Sequence, residues 1–357
     1  MDTIITKIDA EKMTASDFAE AGEIIRRGGL VAFPTETVYG LGADALNSEA
    51  AAKIYAAKGR PSDNPLIVHI ADESDLENLA EEIPDKAKRL MESFWPGPLT
   101  MIFNKKESVP YGTTGGLDTV AIRMPEHKIA LEFIRQSGVP IAAPSANTSG
   151  RPSPTTAEHV EEDMGGRIDM IIDGGKVGIG IESTIVDMTV TPPMILRPGY
   201  ITREMLEEKI GTVQVDKIVE AKSPLAIGKE DYMPKAPGMK YKHYAPKADL
   251  TMFEGSILNV AKAIKERKER EESQGKKVGI ICTDESREYY SGDYIVSIGS
   301  REKEETIAAN LYGVLRDFDD TDVDVILGET FYGDGLGQAI MNRLIKAAGY
   351  KLINADS

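Results

Sequence analysis

The sequence holds a single cysteine, Cys282, in 357 residues. It has no partner for an internal disulfide, it excludes a zinc site built from several thiolates, and it fits a reducing compartment. Cations are scarce as well: 42 Lys and Arg face 58 Asp and Glu, for a formal charge of −16. Such a chain is poorly suited to coating DNA, RNA or an anionic membrane, because non-specific affinity for those surfaces comes from Lys and Arg displacing counterions. A local basic pocket is still allowed, since screening confines each charge to about 8 Å at physiological salt. No stretch approaches the ~18 consecutive apolar residues of a membrane span, and the start, MDTIITKIDAEKM, lacks the basic head and apolar run of a signal peptide. The cytoplasm is the expected compartment, with no membrane contact. His69, His127, His159 and His243 stand far apart without metal-ligand spacing, so no resident metal site is expected. No GxxxxGK[ST] phosphate loop, GxSxG elbow or HExxH helix is present.

What is present is an ordinary soluble composition, 41% hydrophobic and 28% charged, long enough at ~150 residues per domain for two domains. Over the first ~210 residues helices and strands alternate unevenly. Ser16 is a candidate cap for a helix through Ile24 and Ile25 that ends at Gly28-Gly29, and Leu30–Phe33 reads as a buried strand stopped by Pro34. Ser48 opens a helix through Ile54 and Tyr55 to Lys58, where Gly59 stops it. Strands are predicted at Leu66–Ile70, Leu99–Phe103, Val120–Ile122, Ile141–Ala143, Met170–Ile172, Thr184–Val186 and Met194–Leu196. Helices are predicted at Glu126–Gln136, Thr156–Met164 and Arg203–Lys209. Many strands between unequal helices imply an α/β or α+β domain with a mixed sheet.

Between Gly211 and Lys247 the pattern fades into a Pro-containing segment, KEDYMPKAPGMKYKHYAPKA, that reads as a linker or arm. From Lys229 to Lys247 it carries +3, against −12 over residues 1–210 and −4 over the rest of the chain. Strands at Leu250–Phe253, Val278–Cys282, Tyr294–Ile298 and Val323–Leu327 then alternate with helices at Ser256–Glu271, Glu304–Phe318 and Gly337–Ala348, a three-layer parallel-sheet domain. The run KERKEREESQG reads as a solvated helix face with i,i+4 ion pairs. GDGLGQA, Gly333–Ala339, is either a tight turn with close packing or an anion contact ahead of the last helix.

Polar segments at strand ends, where ligand sites tend to lie, carry the functional signal. PTETVYGLG, Pro34–Gly42, reads as a loop with hydroxyls at Thr35 and Thr37 and glycines that permit close approach. KGRPSDNPLIVHI places Lys58 and Arg60 just past a helix end with Asn64 behind them, a set suited to a polyphosphate, or else a solvated turn. AAPSANTSGRPSPTTAEH, Ala142–His159, crowds hydroxyls, an amide and Arg151 into a strand-to-helix loop, where Ser145 and Asn147 could donate to a phosphate or base.

With FWPGPLT, VAIRMP, ESTIVD and LRPG, these strings resemble the L-threonylcarbamoyladenylate synthases of the YrdC/YwlC type. The PGMKYKHYAP segment and the closing GLGQAIMNRLIKAA resemble the family's longer, two-domain branch. The resemblance implies an α/β fold: a YrdC-like domain at 1–211 with a twisted mixed sheet around a concave pocket, a linker or lid at 212–247, and a small Rossmann-like domain at 248–357. It also implies an enzyme, a nucleotidyltransferase that joins L-threonine, bicarbonate or CO₂, and ATP with Mg²⁺ into threonylcarbamoyl-AMP and releases pyrophosphate. A separate downstream threonylcarbamoyl-transferase complex would carry the group to an adenosine next to a tRNA anticodon, so no stable nucleic-acid binding is expected of this chain.

By the same resemblance Lys58, Arg60, Ser145 and Asn147 serve ATP, and Asn64, Thr119, Ser153, Arg197 and Tyr244 fall on further nucleotide contacts. Thr37, His69, Arg123, Ser183 and the backbone near Ala143 fall on L-threonine contacts, with Thr35 nearby. Elementary chemistry agrees with this allocation. Threonine's carboxylate wants a bidentate partner, which Arg123 can be, and its amine must be neutral to attack CO₂. The resulting carbamate and the triphosphate are both anions, so Lys58, Arg60 and Arg197 with Mg²⁺ would spread the charge, while the +3 linker, through Tyr244 and Lys240 or Lys242, would exclude water. A hydrogenase-maturation relative using carbamoyl phosphate would carry CxxC pairs, which one cysteine cannot supply. A non-catalytic RNA-binding module fits poorly with the −12 balance of residues 1–210.

Overall fold

The computed structural model describes residues 2–220, 235–236, 243–331, 333 and 335–357. The chain divides into two compact units, one holding the described residues 2–149, 153–220 and 235–236, the other 150–152, 243–331, 333 and 335–357.

The first unit is built on an eleven-stranded mixed sheet. Its strands are β1 Ile4–Lys7, β2 Val31–Phe33, β3 Gly40–Asp44, β4 Ile67–His69, β5 Leu99–Asn104, β6 Thr119–Arg123, β7 Ile141–Ala143, β8 Met170–Asp173, β9 Thr184–Asp187, β10 Met194–Arg197 and β11 Gln214–Val215. They lie in the order β1-β8-β2-β3-β7-β4-β6-β5-β9-β10-β11. The apolar runs became the buried strands they predicted, because an apolar run in a sheet covered on both faces leaves no side chain in water. Several elements differ from expectation, β1 among them, which was not predicted. Ser16 is not the cap of the first helix: Thr14 forms a capping box with Asp17 over a 3-10 turn, Ala15–Phe18, that leads into the helix Ala19–Arg26. A third of Pro34–Gly42 is not loop, since Gly40–Gly42 belong to β3 and pair antiparallel with β2. A Cβ on Gly42 would press on Ile141 and Phe33, so glycine there permits the sheet rather than a turn. The helix Asp85–Phe94, which buries Ala87, Leu90 and Met91, was not anticipated.

The helix that delivers Lys58 is well bounded. Asn47 caps Ser48–Lys58 by accepting from the amides of Glu49 and Ala50, and Gly59 ends it in the left-handed conformation, φ 61°. The segment after Gly211 carries β11, parallel to β10, and a helical turn Lys217–Glu220; most of the expected linker lies outside the described residues.

The second unit is a five-stranded parallel sheet of β12 Asp249–Glu254, β13 Val278–Cys282, β14 Ile295–Ser297, β15 Val325–Glu329 and β16 Leu352–Asn354, in the order β14-β13-β15-β12-β16. Helices Ile257–Ser273, Glu304–Asp319 and Leu336–Ala347 connect the strands. The charged helix run makes the expected i,i+4 pairs, Arg267–Glu271 at 2.6 Å and Lys268–Glu272 at 2.8 Å, but Glu271 is buried rather than solvated. Of the two readings of the glycine-rich turn, packing is the one seen. The Glu304 carboxylate accepts from Gly337 N at 2.8 Å, and a Cβ on Gly333 or Gly337 would collide with that carboxylate.

Candidate active site

Parallel pairing of β4 with β6 sets His69 directly beside Arg123 at the ends of their strands. The β2–β3 connection brings Thr35, Glu36 and Thr37 to the same place. Thr35 Oγ1 closes the turn by donating to Val38 O at 2.7 Å and lies 2.8 Å from Thr37 Oγ1. The Arg123 guanidinium, 4% exposed, donates through Nη1 to Thr37 Oγ1 at 3.0 Å and through Nε to Gly97 O at 3.3 Å. Its Nη2 stands 2.6 Å from Glu36 Oε1. The distance makes an ion pair but the angles do not make a hydrogen bond, and both Glu36 oxygens and Arg123 Nη2 lack an aligned partner among the described residues. The fork expected to hold a substrate carboxylate therefore faces an internal one.

His69 lies edge-on to Phe33 with ring centroids 6.0 Å apart. Burial and then the adjacent Arg123 charge push its pKa down to about 3, so the ring is neutral. Its Nδ1 carries the hydrogen, because its neighbour at 3.1 Å is the carbonyl of Ile67, which can only accept. Ala143 stands opposite Ile67 in the antiparallel β4–β7 pair, two residues along β4 from His69, whose own partner across that pair is Ile141.

Lys58 and the Ser145–Asn147 loop meet directly. Lys58, 1% exposed, donates from Nζ to Ser145 O at 2.5 Å and to Asn147 O, while Ser145 Oγ donates to Asn147 Oδ1 at 2.5 Å. Ser149 N returns to Lys58 O at 2.9 Å. Lys58 thus clamps the loop as well as bringing a charge to it. Arg60 folds back to donate to Asn64 O and Pro65 O, leaving Asn64 Oδ1 buried without a hydrogen bond among the described residues. The β4–β6 register, continued backward, places Thr119 near Pro65, at the opposite end of β6 from Arg123.

On the neighbouring strands, Arg197 at the end of β10 donates from Nε to Ser183 O at 3.0 Å and from Nη2 to Ser183 Oγ at 3.2 Å. Ser183 Oγ also lies 2.7 Å from Thr100 Oγ1, and Ser153 Oγ donates to Glu182 Oε1 at 2.6 Å. Tyr244 belongs to the second unit, where its ring stacks on Tyr312 at 5.2 Å. A cavity of about 600 Å³ lined by Arg27, Lys53, Arg167 and Asp169 includes just one expected residue, Lys58. Glu36 was missed in the sequence, where a carboxylate between two threonines carries no sign of a distant arginine.

Fold and site define a two-domain α/β protein whose mixed-sheet unit buries a charged, hydroxyl-rich cluster. Two family models match it, one described as "Telomere recombination" over residues 23–199 and one described as "Threonylcarbamoyl-AMP synthase, C-terminal domain" over residues 201–349. A threonylcarbamoyl-AMP synthase of Bacillus subtilis is 52% identical over 94% of each chain, and one of Pyrococcus abyssi is 52% identical over 93% of this chain and 94% of its own. The crystal structure of P. abyssi Sua5 complexed with L-threonine superposes with a TM-score of 0.92 at 50% identity, covering 99% of both chains. The chain belongs to the threonylcarbamoyl-AMP synthase family, in its two-domain form.

Proposed function

We propose that this chain makes threonylcarbamoyl-AMP from L-threonine, bicarbonate or CO₂, and ATP, releasing pyrophosphate, and that the product serves threonylcarbamoyladenosine modification of tRNA next to the anticodon. The observation that carries this reading is 52% identity to threonylcarbamoyl-AMP synthases over nearly the whole chain. The buried Thr37–Arg123–His69 cluster supports it with a suitable amino-acid site.

In this reading Arg123 takes threonine's carboxylate, and Thr35, Thr37, Ser183, His69 and the Ala143 backbone shape the rest of that subsite. Threonine's ammonium first gives up a proton, the neutral nitrogen then bonds to the carbon of CO₂, and a second proton leaves as the carbamate forms. A carbamate oxygen then attacks the α-phosphorus, and the bond to the leaving pyrophosphate breaks. Lys58, Arg60 and Arg197 offset the negative charge that builds there, with Asn64, Thr119, Ser145, Asn147 and Ser153 fixing the nucleotide. No covalent enzyme intermediate is required. Alignment of bound reactants can supply about 7–11 kcal/mol of the barrier. Among the described residues no cluster of three or more His, Cys, Asp or Glu could cage a metal ion. Mg²⁺ therefore enters as part of the nucleotide substrate, carried on its phosphates.

Pyrophosphate release from ATP, followed with threonine or bicarbonate omitted in turn, tests the reading. It predicts that each omission abolishes release; release indifferent to threonine would sink it.

A further inference from the structure

The pair formed by Glu36 and Arg123 has a chemical meaning beyond holding an arginine in place. Arg123 is buried and Glu36 nearly so, 4% and 11% exposed, and their facing atoms are 2.6 Å apart. A buried ion pair normally completes its hydrogen bonds, because each unpaired polar atom forfeits its solvation. Here neither oxygen of Glu36 nor Nη2 of Arg123 has an aligned partner among the described residues, and Nδ1 of the nearby His127 has none either. Polar atoms of both signs without an aligned hydrogen bond thus converge at one place, where a ligand with a negative and a positive end would meet an opposite charge at each.

The charge count there is specific. Arg123 contributes +1 and Glu36 −1. His69 is held neutral by burial and by Arg123, and burial also lowers the pKa of His127 against the opposing pull of Glu36. The subsite is therefore balanced. In a poorly solvated pocket a balanced pair of charges favours a zwitterion, whose two ends each meet an opposite charge, over an ion of either single sign.

We propose that Glu36 is a specificity-determining residue which, set against Arg123, tunes this subsite to a zwitterionic α-amino acid and against carboxylates that lack the amine. The proposal rests on the assignment of the Arg123 cluster to threonine and adds what that assignment leaves out, the group that answers the substrate's ammonium. Removing the Glu36 charge would leave the subsite net positive and suited to simple anions.

The test is a set of calorimetric titrations without ATP or bicarbonate. L-threonine is compared with 3-hydroxybutyrate, which keeps carboxylate, hydroxyl and methyl but has no amine, on the native protein, Glu36→Gln and Glu36→Asp. The native protein should bind threonine at least tenfold more tightly than 3-hydroxybutyrate and than L-threoninamide, which keeps the ammonium but lacks the carboxylate. In Glu36→Gln the ratio of threonine to 3-hydroxybutyrate affinity should fall at least tenfold, and Glu36→Asp should restore it even if both ligands bind more weakly. Equal losses for both ligands in Glu36→Gln, or a native protein that binds 3-hydroxybutyrate as well as threonine, would overturn the proposal while leaving the threonine assignment standing. The comparisons on the native protein decide even if Glu36→Gln does not fold, and a native protein that binds no threonine overturns both readings.

Discussion

Replacing Lys58 with methionine separates a charge offered to phosphate from a clamp on the protein itself. Methionine keeps most of the apolar stem and removes the ammonium. In the folded chain that ammonium donates to the carbonyls of Ser145 and Asn147 in a site where Lys58 is 1% exposed. Hydrogen bonds from a charged donor are worth about 1.5–3 kcal/mol each, so the loss of two amounts to about 3–6 kcal/mol. For a unit of this size about 2–4 °C of melting temperature is lost per kcal/mol. Thermal unfolding followed by circular dichroism should therefore show Lys58→Met melting about 6–24 °C below the native protein, without nucleotide in either sample. A shift under 2 °C would refute the clamp and leave Lys58 as a ligand contact alone. If the clamp is real, loss of activity in any Lys58 variant combines a displaced Ser145–Asn147 loop with a missing charge, and Arg60→Ala becomes the cleaner probe of the phosphate site.

Other outcomes follow from the same geometry. His69 is buried in its neutral form with a pKa near 3 against 6.5 when unfolded, so the unfolded chain alone takes up a proton as pH falls through that window. Stability tied to this residue is complete above about pH 6.5 and declines toward pH 3, by about 2 kcal/mol at pH 5. Urea midpoints at pH 7 and pH 5 should lie closer together in His69→Gln than in the native protein, and equal spacing would contradict the buried neutral ring. Burial first, and the Glu329 charge next, push the Cys282 thiol up to about 12. At pH 8 the native protein should leave a disulfide reagent such as DTNB unreacted and release one equivalent of chromophore only when unfolded; fast reaction in the native state would show that Cys282 is reachable.

Much of this was legible from residue order because the decisive strands are short apolar runs punctuated by Gly and Pro, as in Leu30–Phe33 ahead of Pro34. β3 escaped because GLG reads as a turn, and only the close approach of Ile141 and Phe33 explains why glycine is needed inside that strand. The threonines and the Lys58–Arg60 pair were visible as chemistry without an obvious structural use. Their partners were not, since Lys58 binds backbone carbonyls, which leave no mark on a sequence. Glu36 gains its meaning from Arg123, four strands later in the chain, and from burial that strips both of water.

Mass spectrometry identifies the product most directly. The full chain is incubated with ATP, Mg²⁺, L-threonine and ¹³C-bicarbonate, and the nucleotides are separated at once. The account predicts a threonylcarbamoyl-AMP ion one mass unit heavier than its counterpart from unlabelled bicarbonate, appearing in step with pyrophosphate. AMP and pyrophosphate alone, or an adenylate of threonine without the added carbon, would contradict it.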